Sequence, residues 1–191
     1  MPTLHVNILK GYTDEDKEHL TEALVSTVAG ILNAPGDGVV VWLHESSPSE
    51  YRRGHHLRKI RVSAPIHPAE MVKKYLAAME ARNIEKAKSF LAPEFHMTFP
   101  GGVTFHTLED LVNWSKTRYR FVKKTFHSTN TSYGAEFISV TCSGVLSGEW
   151  PNGEEFHGVR FIDQFQIKDG LLVEQSVWND LELAMPKLLP T

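Results

Sequence analysis

The chain has 191 residues, 41% of them hydrophobic and 23% charged, with a formal net charge of −3. Charges of both signs are interspersed, which gives no basic footprint for nucleic acid, and no apolar run is long enough to span a bilayer. The start shows no charged-then-apolar signal pattern, so a cytoplasmic location is expected. The single cysteine, Cys142, excludes an intramolecular disulfide and, in an alternating strand pattern, reads as a buried, inert thiol.

From Thr3 to Leu9, Leu4, Val6 and Ile8 alternate with Thr3, His5 and Asn7, the period of a half-buried strand that Gly11 breaks. Thr13-Asp14-Glu15-Asp16 supplies a helix N-cap and an acidic first turn. Leu20, Leu24, Val28 and Ile31 follow at helical spacing until Asn33-Ala34-Pro35-Gly36 ends the helix. Val39 to Leu43 is a continuous apolar run and predicts a strand covered on both faces. Strand, helix and strand make a βαβ unit with parallel strands. Such a unit buries too little apolar surface to offset its conformational entropy, so either the rest of the chain covers it or several copies associate.

Pro2 stands directly behind Met1. With Met1 removed it becomes a secondary amine; a free α-amino group titrates at about 7.7–8.0, which suits a general base. Its other reading is the first residue of an edge strand, where a missing amide donor costs little.

Pro2, the βαβ unit, Gly11 and the stretch from Glu45 to Gly54 with Tyr51 together resemble the 4-oxalocrotonate tautomerase family. That resemblance implies an amino-terminal proline that shuttles a proton between carbon and oxygen of enol acids. It also implies an aromatic residue, here Tyr51, beside the proline, and assembly into trimers or hexamers. The chain departs from the family at Tyr12 and Val40, where well-known members carry carboxylate-binding arginines. Arg52 or Arg53 supplies a displaced cation, or the two form a solvated surface pair.

Gly54 to Pro68 mixes basic residues, histidines and prolines without a period and marks a domain boundary, giving units 1–63 and 64–191. Leu57 to Val62 reads as a short extra strand. The adjacent His55 and His56 lack the converging ligands of a metal site, and neither a metal nor a cofactor is expected.

Pro68 opens a helix with an apolar stripe at Met71, Val72, Tyr75, Leu76 and Met79. A second helix carries Ile84, Ala87, Phe90 and Leu91, a strand runs from Phe95 to Phe99, and a third helical stretch from Leu108 to about Val122. Strands are predicted near Thr125–Tyr133, Glu136–Trp150, Glu154–Ile167 and Leu171–Asp180, with turns at Pro151-Asn152-Gly153 and Lys168-Asp169-Gly170. Helices followed by long antiparallel strands make an α+β domain, with the sheet curled into a cone and the helices closing its mouth.

Phe161 to Gln175, followed by Trp178-Asn179-Asp180, resembles the end of a SnoaL-like polyketide cyclase domain of the NTF2-like superfamily. The resemblance covers about Pro68 to Leu183 and implies the cone, a small-molecule ligand and a preference for dimers; a hexamer satisfies both families. Asp163 shares a strand face with Phe161, Phe165 and Ile167; it is either an acid/base carboxyl among apolar neighbours or a structural aspartate satisfied by backbone or Arg160. Asp180 falls where the resemblance places the cyclase acid/base aspartate. His96 is a candidate to orient a substrate oxygen, and Trp114, Tyr119, Phe99, Phe161 and Trp178 a candidate aromatic lining.

The expectation is therefore a cofactor-free enzyme that moves a proton on an enolisable carbonyl compound, by tautomerisation, cyclisation or hydration/dehydration. Pro2 is the favoured base, with Tyr51 and Tyr12 donating to the oxyanion. In the alternative, Asp180 and Asp163 act inside the cone and the βαβ unit is an assembly device. A third reading is a non-catalytic small-molecule binding or assembly module. The expected partners are a small-molecule substrate and further copies of the chain, with no nucleic acid and no membrane.

Overall fold

The computed structural model describes residues 1–57 and 66–185, which fall into two compact units, Met1–Pro65 and Ile66–Thr191. Most of the strand expected over 57–62, and the boundary expected at 63–64, lie outside the described residues.

In the first unit β1 (Thr3–Leu9) pairs in parallel with β2 (Val40–Ser46), in register from Thr3↔Val40 to Leu9↔Ser46. The connecting helix α1 (Asp14–Leu32) starts where the sequence placed it because Thr13 and Asp16 form a capping box. The Asp16 amide donates to Thr13 Oγ1 at 3.1 Å and the Thr13 amide to Asp16 Oδ2 at 3.0 Å. Asn33, in the left-handed region at φ 49°, ends the helix. Lys17 on α1 reaches Glu45 on β2 at 3.3 Å.

Leu4, Val6 and Ile8 are half-buried, while His5 and His44 on the opposite face are exposed and Trp42 is 56% exposed. This corrects the expectation of a β2 covered on both faces. The run reads as fully apolar, yet strand alternation turns Trp42 away from the face that carries Leu4, Val6 and Ile8. Only Val39 is buried among the described residues of this unit, so it has almost no core of its own. Beyond it lie the short antiparallel strands β3 (Arg52–Arg53) and β4 (His56–Leu57).

The second unit leads with α2 (Pro68–Glu80), opened by Pro68 in its first turn, and α3 (Ile84–Lys88), then β5 (Leu91–Phe99), β6 (Val103–Phe105) and α4 (Leu108–Ser115). Four longer strands follow, β7 (Phe121–Tyr133), β8 (Ile138–Glu149), β9 (Glu155–Lys168) and β10 (Leu171–Asn179), and then α5 (Leu181–Ala184). Together β5 to β10 form a six-stranded sheet in the order β6-β5-β10-β9-β8-β7, parallel only between β5 and β10. α2 packs on β7 and β8 and sets Tyr75 edge-on against Phe95 and Phe165, at ring distances of 6.2 and 5.9 Å.

The third helix stops at Ser115, well short of the Val122 expected from periodicity, because the Ser115 carbonyl takes the Arg118 and Tyr119 amides in a closing turn. Phe121 to Phe126 then follow a period of two, with Val122, Lys124 and Phe126 turned inward. Register shifts near Phe126/Ser128, Leu146/Gly148 and Leu172/Glu174 bend the sheet. β8 also needs its glycines, since a Cβ at Gly144 would overlap the Thr125 carbonyl and one at Gly148 the Phe121 carbonyl. The turn at Asp169-Gly170 has positive φ at both residues, 52° and 80°, the geometry of a tight two-residue hairpin.

Candidate active site

The helices and the curved sheet of the second unit enclose a cavity of about 450 Å³ walled by Tyr75, Met79, Leu111, Phe126 and Gln175 among others. A smaller space of about 60 Å³, walled by Trp114, Phe161, Asp163, Val177 and Asn179, lies beside it. Phe99, Tyr119, Val122 and Lys124 line both. The walls are mostly apolar and aromatic, with few polar groups, as in a small-molecule site.

Asp163 is fully buried on the inward face of β9, where Phe161, Phe165 and Ile167 are its neighbours. One carboxylate oxygen, Oδ2, accepts from Lys124 Nζ on β7. The other, Oδ1, is buried without a hydrogen-bond partner among the described residues. Lys124 also lies over the Phe161 ring, 4.5 Å from its centroid. A buried carboxylate is costly unless paired and fully hydrogen-bonded, and this one is paired on one side only.

Two further polar side chains stand on the same interior. The Tyr75 hydroxyl donates to Gln175 Oε1 at 3.1 Å. Burial, and secondly the Asp163 charge, push that hydroxyl far above the usual tyrosine range. Burial likewise raises the Tyr119 hydroxyl, against an opposing hydrogen bond with Ser115. Cys142, the cross-strand neighbour of Asp163, is raised by burial first and by the Asp163 charge after it.

The other cone candidates lie in different surroundings. Trp114 is a wall residue, packed on Phe99 and Phe105 at 5.5 and 5.4 Å, with the Arg118 guanidinium 4.4 Å above its ring. Trp178 is 53% exposed, and Asp180 accepts from Arg160 Nε at 2.7 Å, outside both cavity linings. Trp178 lies on the exposed side of β10, whereas Asp180 falls just past the strand as the residue before α5; with the register shift at Leu172/Glu174, Leu172, Val173, Gln175 and Val177 are the buried positions. Asn179 therefore lines the inner space in place of its neighbours. His96 alternates with the buried Phe95 and Met97, stands 6.3 Å from His106, and lines neither space.

In the first unit Pro2 is half-buried at the head of β1, and its carbonyl accepts the Val40 amide at 3.0 Å. Tyr12 and Tyr51 are exposed, as are Arg52 and Arg53 on β3. Among the described residues no hydrogen bond or ring contact joins Pro2 to any of the four.

Residues 72–175 match the SnoaL-like domain family, and residues 2–59 match the tautomerase enzyme family. A probable tautomerase of Bacillus cereus is 35% identical over 54 residues, which are 28% of this chain and 88% of that protein. The chain belongs to both families, one in each unit. An NTF2-like protein of unknown function from Burkholderia pseudomallei K96243 superposes with a TM-score of 0.52 at 16% identity, over 60% of this chain and 92% of that one. An NTF2-like protein from Burkholderia thailandensis E264 gives 0.52 at 18% identity, over 64% and 98%. The SnoaL-like unit thus has the NTF2-like fold.

Tautomerase and SnoaL-like membership together point to isomerase or cyclase activity on a small molecule. Among the described residues no helix is long and apolar enough to cross a membrane. In the SnoaL-like unit, sequence reasoning named Asp163, which lines the inner space, and did not name Lys124, Tyr75, Gln175 or Asn179, which also line the two spaces. The signal for Lys124 was present, a lysine in the inward register between Val122 and Phe126, but it was hidden where the predicted helix overran into β7.

Proposed function

We propose that the chain is an enzyme that transfers a proton on an enolisable carbonyl compound, and that the SnoaL-like cone is its active site, with Asp163 as the acid/base group. The observation that carries this reading is the half-satisfied carboxylate: Oδ2 held by Lys124, Oδ1 buried and unpartnered among the described residues, on a residue that walls the inner space. Oδ1 takes a proton from the carbon next to the substrate carbonyl, and the electron pair of that C–H bond moves onto the carbonyl oxygen as an enolate. Lys124, which lines both spaces and contacts Asp163, supplies positive charge for the developing oxyanion. Returning the proton to another atom completes a tautomerisation; attack of the enolate carbon on a second carbonyl of the same molecule gives a ring alkoxide that takes the proton back from Asp163, completing a cyclisation. The test is a panel of enolic acids and β-dicarbonyl compounds assayed with the wild type and Asp163→Asn. Turnover that survives Asp163→Asn unchanged contradicts this role.

A second reading has a specific observation behind it: the tautomerase match begins at Pro2. In that reading Pro2, freed of Met1, is the base, while Tyr51 and Tyr12 serve as oxyanion donors and Arg52 or Arg53 as the carboxylate partner. Such a site would be completed by further copies of the chain, since among its described residues the first unit buries only Val39. Intact mass tests it first, because retained Met1 leaves Pro2 without a basic nitrogen.

A further inference from the structure

The outer part of the cone has a charge arrangement that proton transfer at Asp163 does not use. Its wall includes Lys73 and Arg82, both exposed, together with Lys123 on β7 and one acid, Glu80. Among the described residues neither Lys73 nor Arg82 has a carboxylate partner, whereas neighbouring Lys74 is held by Glu70 at 2.8 Å. Arg82 also occupies a left-handed backbone position, φ 56°, just beyond the α2 C-terminus, where glycine or asparagine is the easier residue. The same wall carries aromatic and aliphatic side chains, Tyr119, Phe126 and Met79 among them, and Tyr119 also lines the inner space with Asp163.

We infer that the substrate is an amphipathic carboxylate: Lys73 and Arg82 hold its acid group at the outer end of the cavity, its planar or aliphatic body lies along the aromatic walls, and its carbonyl end reaches Asp163 and Lys124. The inference rests on the cone being the active site. It commits to an anionic tail because two unpartnered cations and an apolar passage match a carboxylate joined to a hydrophobic body, and match a neutral ligand poorly.

Calorimetric titration of the full chain with 2-naphthoate and with its neutral isostere 2-naphthamide tests it. The expected result is binding of the naphthoate at least tenfold tighter than the amide, a preference lost in the Lys73→Gln/Arg82→Gly double variant with amide binding changed less than twofold. The glycine suits the left-handed backbone, so the variant keeps the fold. Equal affinity for the two probes, no binding of either, or a preference that survives the double variant overturns the inference, the last by placing the carboxylate on Lys124. The two readings fail distinguishably. Proton transfer that depends on Asp163 without a carboxylate preference removes this inference alone; a carboxylate preference without Asp163-dependent turnover removes the catalytic reading and, with it, the placement of a substrate carbonyl at Asp163, leaving only an anion-binding cone.

Discussion

Lys124 on β7 reaches across β8 to the carboxylate of Asp163 on β9, and the inward β8 position between their partners Leu146 and Cys142 is a glycine, Gly144. A buried ion pair of this kind does little for net stability against an apolar replacement, but removing one member strands the other charge. Lys124→Met is expected to destabilise the SnoaL-like unit by about 3–5 kcal/mol, and Lys124→Met/Asp163→Leu to recover most of that loss. Urea unfolding followed by tryptophan fluorescence reads this unit through Trp114, Trp150 and Trp178.

Tyr75 ties stability to alkaline pH. Its folded-state pKa lies above the ordinary 10.0, so the unfolded chain loses this proton first. The stabilisation is fully present below that ordinary value and is lost as pH rises beyond it, at up to about 1.4 kcal/mol per pH unit. Tyr75→Phe should flatten the slope while costing about 1 kcal/mol at neutral pH through the lost bond to Gln175. Urea midpoints at neutral pH and above the ordinary tyrosine value check both.

Cys142 should be nearly inert in the folded protein, because burial and the nearby carboxylate both disfavour its thiolate. Its reaction with a disulfide reagent at neutral pH is expected to be slower than that of the urea-unfolded chain by on the order of 100-fold or more, since the site must open before it reacts.

The register of β10 gives a prediction about function. Trp178→Ala and Asp180→Asn, outside both cavity linings, are expected to change kcat/KM by no more than about twofold, the usual range of a surface substitution. Asn179→Ala, on the inner side, is expected to lower it about tenfold, the size of one lost hydrogen bond. Steady-state kinetics on any substrate found in the panel decides the matter.

That register also explains where the sequence was readable and where it was not. The capping box at Thr13 and Asp16, the helix start at Pro68, both hairpin turns and the face shared by Asp163 with Phe161 and Phe165 all follow from local chemistry, and all are present. The side on which Trp178 falls depends on a bulge that no residue pattern announces. Lys124 was missed for a related reason: apolar residues from Leu108 to Val122 suit a helix as well as a helix followed by a strand, and only the turn closed by the Ser115 carbonyl separates the two. Tyr75 and Gln175 meet across 100 positions of sequence, a pairing that exists only once α2 lies on the sheet.

The assignment of proton transfer to Asp163 is tested most directly by following exchange of the substrate α-proton in D2O by NMR, for the wild type, Asp163→Asn and Pro2→Ala. Exchange should slow by about 100-fold or more in Asp163→Asn, the lower bound for a positioned general base, and stay close to wild type in Pro2→Ala. Exchange that persists in Asp163→Asn and stops in Pro2→Ala would contradict that assignment and move the chemistry to the tautomerase unit.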